Sequence, residues 1–365
     1  MIPNPLNRST RLWRTALPLL INLLIVLAGI RAILQRVGET RVDDAATILT
    51  PDEIRAQPEG TVVAVLAKAS EDYDDGRLDF VLLKLVLEKS GKPFVMGYGQ
   101  NVVGSTRASR NIASAINPGK ENPEGLTVTL TGLGSEGEDD LASIAIPATG
   151  GLLGLRVPCI NSERPDLLRN VRGLQDLRSF LAVQGRGWMD AKILRDAGIP
   201  TFEVDSNLTH NLLNEGRVDY FPRSVTSVEM ECHGGQSTFQ NVIMDPYLVV
   251  VHPAAWIFYV HPDNESLREA IEEGFNQALE DGSYVQLLRE RVFTPWLRET
   301  LDLPNRRVVY VPSEFGRELT AMIDERYWML PWSQLERGEI TTGAQLCGLP
   351  VIEYLCDDRA KILDP

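Results

Sequence analysis

Positive charge is in short supply in this chain: 36 Lys and Arg stand against 50 Asp and Glu, a formal net charge of −14. Nucleic-acid binding rests on clustered Lys and Arg that neutralise phosphates, and no such stripe runs through the sequence, which disfavours a phosphate backbone as partner. Histidine is rarer still. His210, His233, His252 and His261 include no pair at helical ligand spacing, and two of them precede proline, which suits strand or turn positions better than metal or acid–base work. There is no G-x-S-x-G elbow and no serine with an evident histidine partner. Gly132, Gly134 and Gly137 do spell G-x-G-x-x-G after an apolar run, but an acidic stretch and then Pro147 and Gly150 follow where a dinucleotide site needs a long helix. These absences lead to an expectation of no cofactor, no metal and no enzymatic chemistry.

Cysteine is also scarce, with four in the chain. Cys347 and Cys356 lie close together near the end, while Cys159 and Cys232 are far apart, and none follows a metal-site spacing. In an oxidising compartment the four form two bridges in that pairing; reduced, they are small buried hydrophobes. Sequence leaves both open. The compartment is indicated by the start of the chain, where Arg8, Arg11 and Arg14 precede the apolar run Ala16 to Ile30. A basic start followed by such a run is the layout of a secretory signal. Cleaved after Ala28, it frees the protein; extended past Arg31, it makes an uncleaved anchor over residues 12–36. The chain is therefore expected in the periplasm, with membrane contact only through this N-terminal helix.

What is present is ordinary globular composition, 44% hydrophobic and 24% charged, over 365 residues, long enough to split into two lobes. After an acidic linker, "TVVAVLAKA" reads as a buried strand, "RLDFVLLKLVLEKSGKP" as a helix closed by Gly91 and Pro93, and "FVMGYG" as the next strand. "STRASRNIASAINPG" is a second helix, and "LTVTLTG" and "LASIAIPA" are two further strands. A second unit opens with the long apolar strand "GGLLGLRVPCI" and then alternates helix and strand through "GRVDYFP". Such alternation predicts a mostly parallel sheet with helices on its faces. "YLVVVHPAAWIFYV" is a strand pair or a strand crossing between lobes, and an amphipathic helix follows it. Beyond about residue 300, the proline-rich and aromatic tail reads as an ordered wrap around the body.

Four stretches carry a resemblance: "LLKLVLEKSGKPF", "LRSFLAVQGRGWMDAKILRDAGIP", "LLNEGRVDYFPRS" and "ALEDGSYVQLLRERV". In this order they resemble type II extracytoplasmic (periplasmic) solute-binding proteins, and among these the polar amino-acid-binding family of ABC transporters, over roughly residues 60–300. The resemblance implies an α/β, two-lobed fold of the type II periplasmic-binding kind, with two chain crossings between lobes and a cleft between them, here preceded by the N-terminal hydrophobic helix. The implied boundaries are 1–36 for that helix, 37–60 for a linker, 61–150 and 246–300 for lobe 1, 151–245 for lobe 2, and 301–365 for a C-terminal extension packed on the body.

By the same resemblance, the turn "GRGWMD" places backbone N–H groups at a helix N-terminus toward an anionic ligand group. Arg186, Gly187 and Trp188 are its ligand-binding candidates. In "GRVDYFPRS" the acid that in the family holds an amino group comes early, as Asp219, and Arg223 stands nearer the family's position; its alternative is an ion pair with Asp219 or Glu229. Where amino-acid receptors carry a carboxylate-clamping arginine, this chain has Ser135, Glu136 and Glu138, of which Ser135 and Glu136 are cleft candidates. Tyr73 and Arg77 lie at the expected cleft mouth. These departures point to a small polar, anionic ligand rather than a standard amino acid. The implied partner is an inner-membrane permease; alternatively a membrane-tethered sensor uses the same cleft to reach a signalling partner. An enzyme on this fold would need Asp219 and Glu136 close together with perturbed pKa values.

Overall fold

The computed structural model describes residues 47–68, 76–114, 122–134, 137–232 and 239–356. The N-terminal hydrophobic segment lies outside them, and no helix among the described residues is long and apolar enough to cross a membrane. β1 (Val62–Lys68) leads through helix α1 (Leu78–Lys89) to β2 (Phe94–Val102), and the two strands pair in parallel. Helix α2 (Ser105–Ser114) follows, then β3 (Val128–Gly132) and β4 (Ala142–Ser143). The predicted strand "LASIAIPA" thus shrinks to two paired residues. Pro147 has no N–H for a ladder, and the chain instead keeps single bonds to its neighbour, Ile144 N–H to Phe258 O at 2.9 Å and Ala148 N–H to Trp256 O at 2.7 Å.

A seven-stranded sheet follows. It contains β5 (Leu155–Asn161), β6 (Ala182–Gly185), β7 (Thr201–Val204), β8 (Tyr220–Ser224), β9 (Val242–Met244), β10 (Leu248–Val251) and β12 (Arg307–Tyr310). Its order is β12-β10-β5-β8-β6-β7, with β9 also on β5. Helix α3 (Met189–Asp196) joins β6 to β7, α4 (Thr209–Asn214) joins β7 to β8, and α5 (Val228–Cys232) follows β8. The sheet is mixed rather than mostly parallel. Strands linked through these crossover helices run parallel, whereas β5 enters straight from the other strand group and opposes β8, β9 and β10. β11 (Trp256–Val260) then pairs antiparallel with β3 and β4, and helices α6 (Glu265–Glu280) and α7 (Ser283–Arg291) follow. Residues beyond 301 do more than wrap. β12 extends the seven-stranded sheet through parallel pairing with β10, and helix α8 (Glu314–Met322) follows it.

The apolar string "YLVVVHPAAWIFYV" therefore divides between two sheets, β10 in one and β11 in the other. The turn from β10 to β11 lies against the approach to β5. A Cβ on Gly154 would sit 1.9 Å from the His252 carbonyl oxygen, so backbone meets backbone there and only glycine fits. His252 N–H also donates to Gly154 O at 3.2 Å. Behind the sheet, Ile160, Leu168, Leu177, Ile193, Leu194 and Tyr220 form a core closed to solvent. Both cysteine pairs are bonded: Cys159 on β5 to Cys232 on α5, and Cys347 to Cys356.

Candidate functional site

The C-terminal ends of parallel strands β6 and β8 open on one cleft of about 520 Å³. After β6, "GRGW" turns through a left-handed Gly187 (φ 77°) into α3, with Trp188 at its N-cap. The Trp188 ring lies directly on Gly185, where a Cβ would approach its fused bond to 2.5 Å. Trp188 also stacks near Phe221 of β8, with centroids 6.3 Å apart at 20°. Arg223, two residues further along β8, places its guanidinium 5.0 Å from the Trp188 ring and 4.5 Å from the Phe221 ring. Phe221 in "DYFPRS" is thus a buried platform for the arginine that follows it, while Tyr220 belongs to the core.

Two ion pairs floor the cleft. Arg223 holds Glu231 of α5 through Nη2 at 2.6 Å and through Nε. Arg156 of β5, 3% exposed, meets Asp190 in the first turn of α3 at 2.6 Å. His252 Nε2 stands 3.2 Å from the same carboxylate oxygen. Burial would raise the Asp190 pKa, but the Arg156 charge and the His252 contact outweigh it and hold the group well below the ordinary carboxylate range. Burial lowers the Arg156 pKa, opposed by Asp190. His210 sits edge-on to Phe221 at 5.3 Å and 3.9 Å from Glu231; burial pushes its pKa down against that charge.

Among the described residues the facing wall carries no charged side chain. It consists of Ser105 and Thr106 in the first turn of α2, Thr131 to Leu133 at the end of β3, and Trp256. The first turn of α2 contains no acidic residue, and Ser105 and Thr106 at its N-terminus line the cleft, where the positive end of the helix dipole favours negative charge. At one edge the walls touch. Met189 and Phe315 close against Gly134, to 2.6 and 3.2 Å from the position its Cβ would take. Glu138 braces this loop by accepting from Gly134 N–H and from the Tyr259 hydroxyl, both at 2.6 Å.

Arg186, Gly187, Trp188 and Arg223 all line the cleft. Asp219 does not. It receives Arg164 at 2.9 Å and Leu181 N–H at 2.8 Å at the start of β8, about 13 Å of extended strand from Arg223. The partner of Arg223 is Glu231; Glu229 instead accepts from the Thr294 hydroxyl. Arg77 pairs with Asp79 at 2.8 Å. Tyr73, Ser135 and Glu136 lie outside the described residues. Sequence reasoning missed Arg156, Asp190, Glu231 and His252. The signal for Arg156 was present: a lone arginine inside the apolar run "GGLLGLRVPCI" needs a buried partner.

No protein-family model and no curated protein matches the sequence. Solved structures do. An ancestral arginine-binding protein bound to arginine is 14% identical at a TM-score of 0.41, with 64% of this chain and 99% of that chain covered. The chain is similar to the substrate-binding proteins of amino-acid ABC transporters. Another of these, the probable amino-acid ABC transporter extracellular-binding protein from Bacillus subtilis, is 14% identical at a TM-score of 0.44, covering 64% and 99%. A periplasmic His/Glu/Gln/Arg/opine family-binding protein from Silicibacter pomeroyi, in complex with lysine, is 13% identical at 0.40, covering 64% and 98%. The cleft's own residues decide what it can hold.

Proposed function

We propose that this chain is an exported solute-binding protein that takes a small polar, anionic ligand into the cleft above Trp188 and hands it to a membrane permease for ABC-type uptake, without chemistry of its own. The observation that carries the reading is the charge pattern of the cleft. Arg156, Arg186 and Arg223 line it against two carboxylates, Asp190 and Glu231, and the N-termini of α2 and α3 open on the same space. Arg223 makes no hydrogen bond through Nη1 among the described residues. Arg186, tied among the described residues to Asp205 at 3.3 Å on an exposed surface, can turn inward at little cost. The two disulfides support an oxidising compartment.

A ligand that binds only the folded state raises the melting temperature by mass action. In a thermal-shift panel of organic acids, amines and amino acids, the acids are expected to give the largest rise. A panel in which amines shift the melt and no acid does would overturn the anionic assignment, and one with no responder at all would overturn the binding reading.

A further inference from the structure

Resting on the anion-binding reading above, we infer that the cleft selects a planar aromatic acid bearing a single negative charge. Charge sets the count. Among the described residues three arginines and two carboxylates line the space, and the third arginine, Arg186, is paired only on the exposed surface with Asp205, leaving one positive charge in excess of the lining carboxylates. A second negative charge on the ligand would have to compete with Asp190 for Arg156 or with Glu231 for Arg223, and both arginines are buried, with side chains 4% and 13% exposed. Breaking a buried pair leaves an uncompensated charge behind. The same pairing disfavours an ammonium group. Each cleft carboxylate among the described residues already has an arginine, so a cationic ligand group finds no unshared counter-charge there, and the described facing wall supplies hydroxyls, backbone and the Trp256 ring.

Shape sets the rest. Trp188, Trp256 and Phe315 reach the cleft from three separate elements, the α3 N-cap, β11 and α8. Trp188 is packed on Gly185, with the Phe221 ring 6.3 Å and the Arg223 guanidinium 5.0 Å from its centroid, so it meets a ligand with little rotamer freedom left to lose. Leu133 and Met189 add apolar wall. A space of about 520 Å³ falls within the roughly 300–1,000 Å³ of small-molecule sites and exceeds what a short aliphatic acid fills.

Calorimetric titration of the full chain with indole-3-acetate, indole-3-acetamide and succinate separates the terms. The acid is expected to bind at least tenfold tighter than both the uncharged amide and the ring-free dianion. Trp188→Leu should lose at least tenfold for indole-3-acetate while changing succinate binding less than threefold, and Trp188→Phe should recover most of the loss. Succinate binding as tightly as indole-3-acetate would overturn the aromatic class and leave the anion reading standing. Equal affinity for the amide would overturn the need for charge and with it both readings, as would no heat with any of the three. Equal losses for both acids in a Trp188→Leu variant that melts like the parent would reduce the ring to a packing role and overturn the proposal.

Discussion

Asp245 shows how much a single buried group can say about pH. Its Oδ2 accepts from Tyr247 N–H at 2.8 Å and Leu248 N–H at 2.7 Å, fixing the start of β10. Burial nonetheless pushes its pKa up to about 6 from 3.8, against those bonds and the nearby Arg306 charge. The folded state therefore holds this proton more tightly than the unfolded chain does. Its contribution to stability is full below about pH 4 and is lost as pH rises through about 6, a swing on the order of 3 kcal/mol. Asp245→Asn keeps an acceptor but cannot ionise, so it should flatten this part of the profile. Urea midpoints of both proteins between pH 4 and 7 check it; parallel curves would refute the assignment. Neither Asp245 nor Arg306, 2% exposed and bonded to the Leu248 carbonyl at 2.9 Å, stands out in the sequence, because burial of a charge is settled by distant segments.

At the scale of elements, the strands that carry β-branched runs were legible. "TVVAVLAKA" becomes β1 and "LTVTLTG" becomes β3, within two residues of the expected ends. Strand direction was not, since alternation of helix and strand is silent on which neighbours a strand finds, and β5 opposes three. The contact between Gly154 and His252 was also invisible, for two backbones 98 positions apart must meet before the glycine is required. Gly154→Ala would set its Cβ 1.9 Å from a carbonyl oxygen, and the two segments would have to part. A loss of at least about 3 kcal/mol is expected, the upper range for overpacking. Gly173→Ala, with nothing within 4 Å of the new methyl, should stay within about 1 kcal/mol of the parent. Thermal melts that rank the two variants the other way would sink the crossing argument.

The whole molecule is held partly by its cross-links. The Cys159–Cys232 bridge closes 73 residues and fastens α5, which carries Glu231, to the central strand β5. Loop-closure entropy gives it about 4 kcal/mol, against about 2.5 kcal/mol for the Cys347–Cys356 bridge across nine residues. Replacing Cys159 and Cys232 together by serine should thus cost more than replacing the other pair, measured by denaturant unfolding of the two double variants. The reverse order would mean that strain or residual unfolded structure governs instead. The first bridge also bears on the site. Without it α5 is freer to move, and the Arg223–Glu231 pair next to the Trp188 ring loses its anchor.

Sequence by itself determined the alternating α/β character, the turn at Gly187 and Trp188 and the arginine at the end of β8. Each depends on local periodicity, local charge or a turn that glycine permits, and these survive in one dimension. Only the tertiary structure decided that Arg223 belongs to Glu231 rather than Asp219, that Arg156, Asp190 and His252 join the same cleft, and that β12 completes the larger sheet. Ion pairs and sheet edges are chosen among all segments that folding brings within a few ångströms, and that distance is set by the packed chain as a whole.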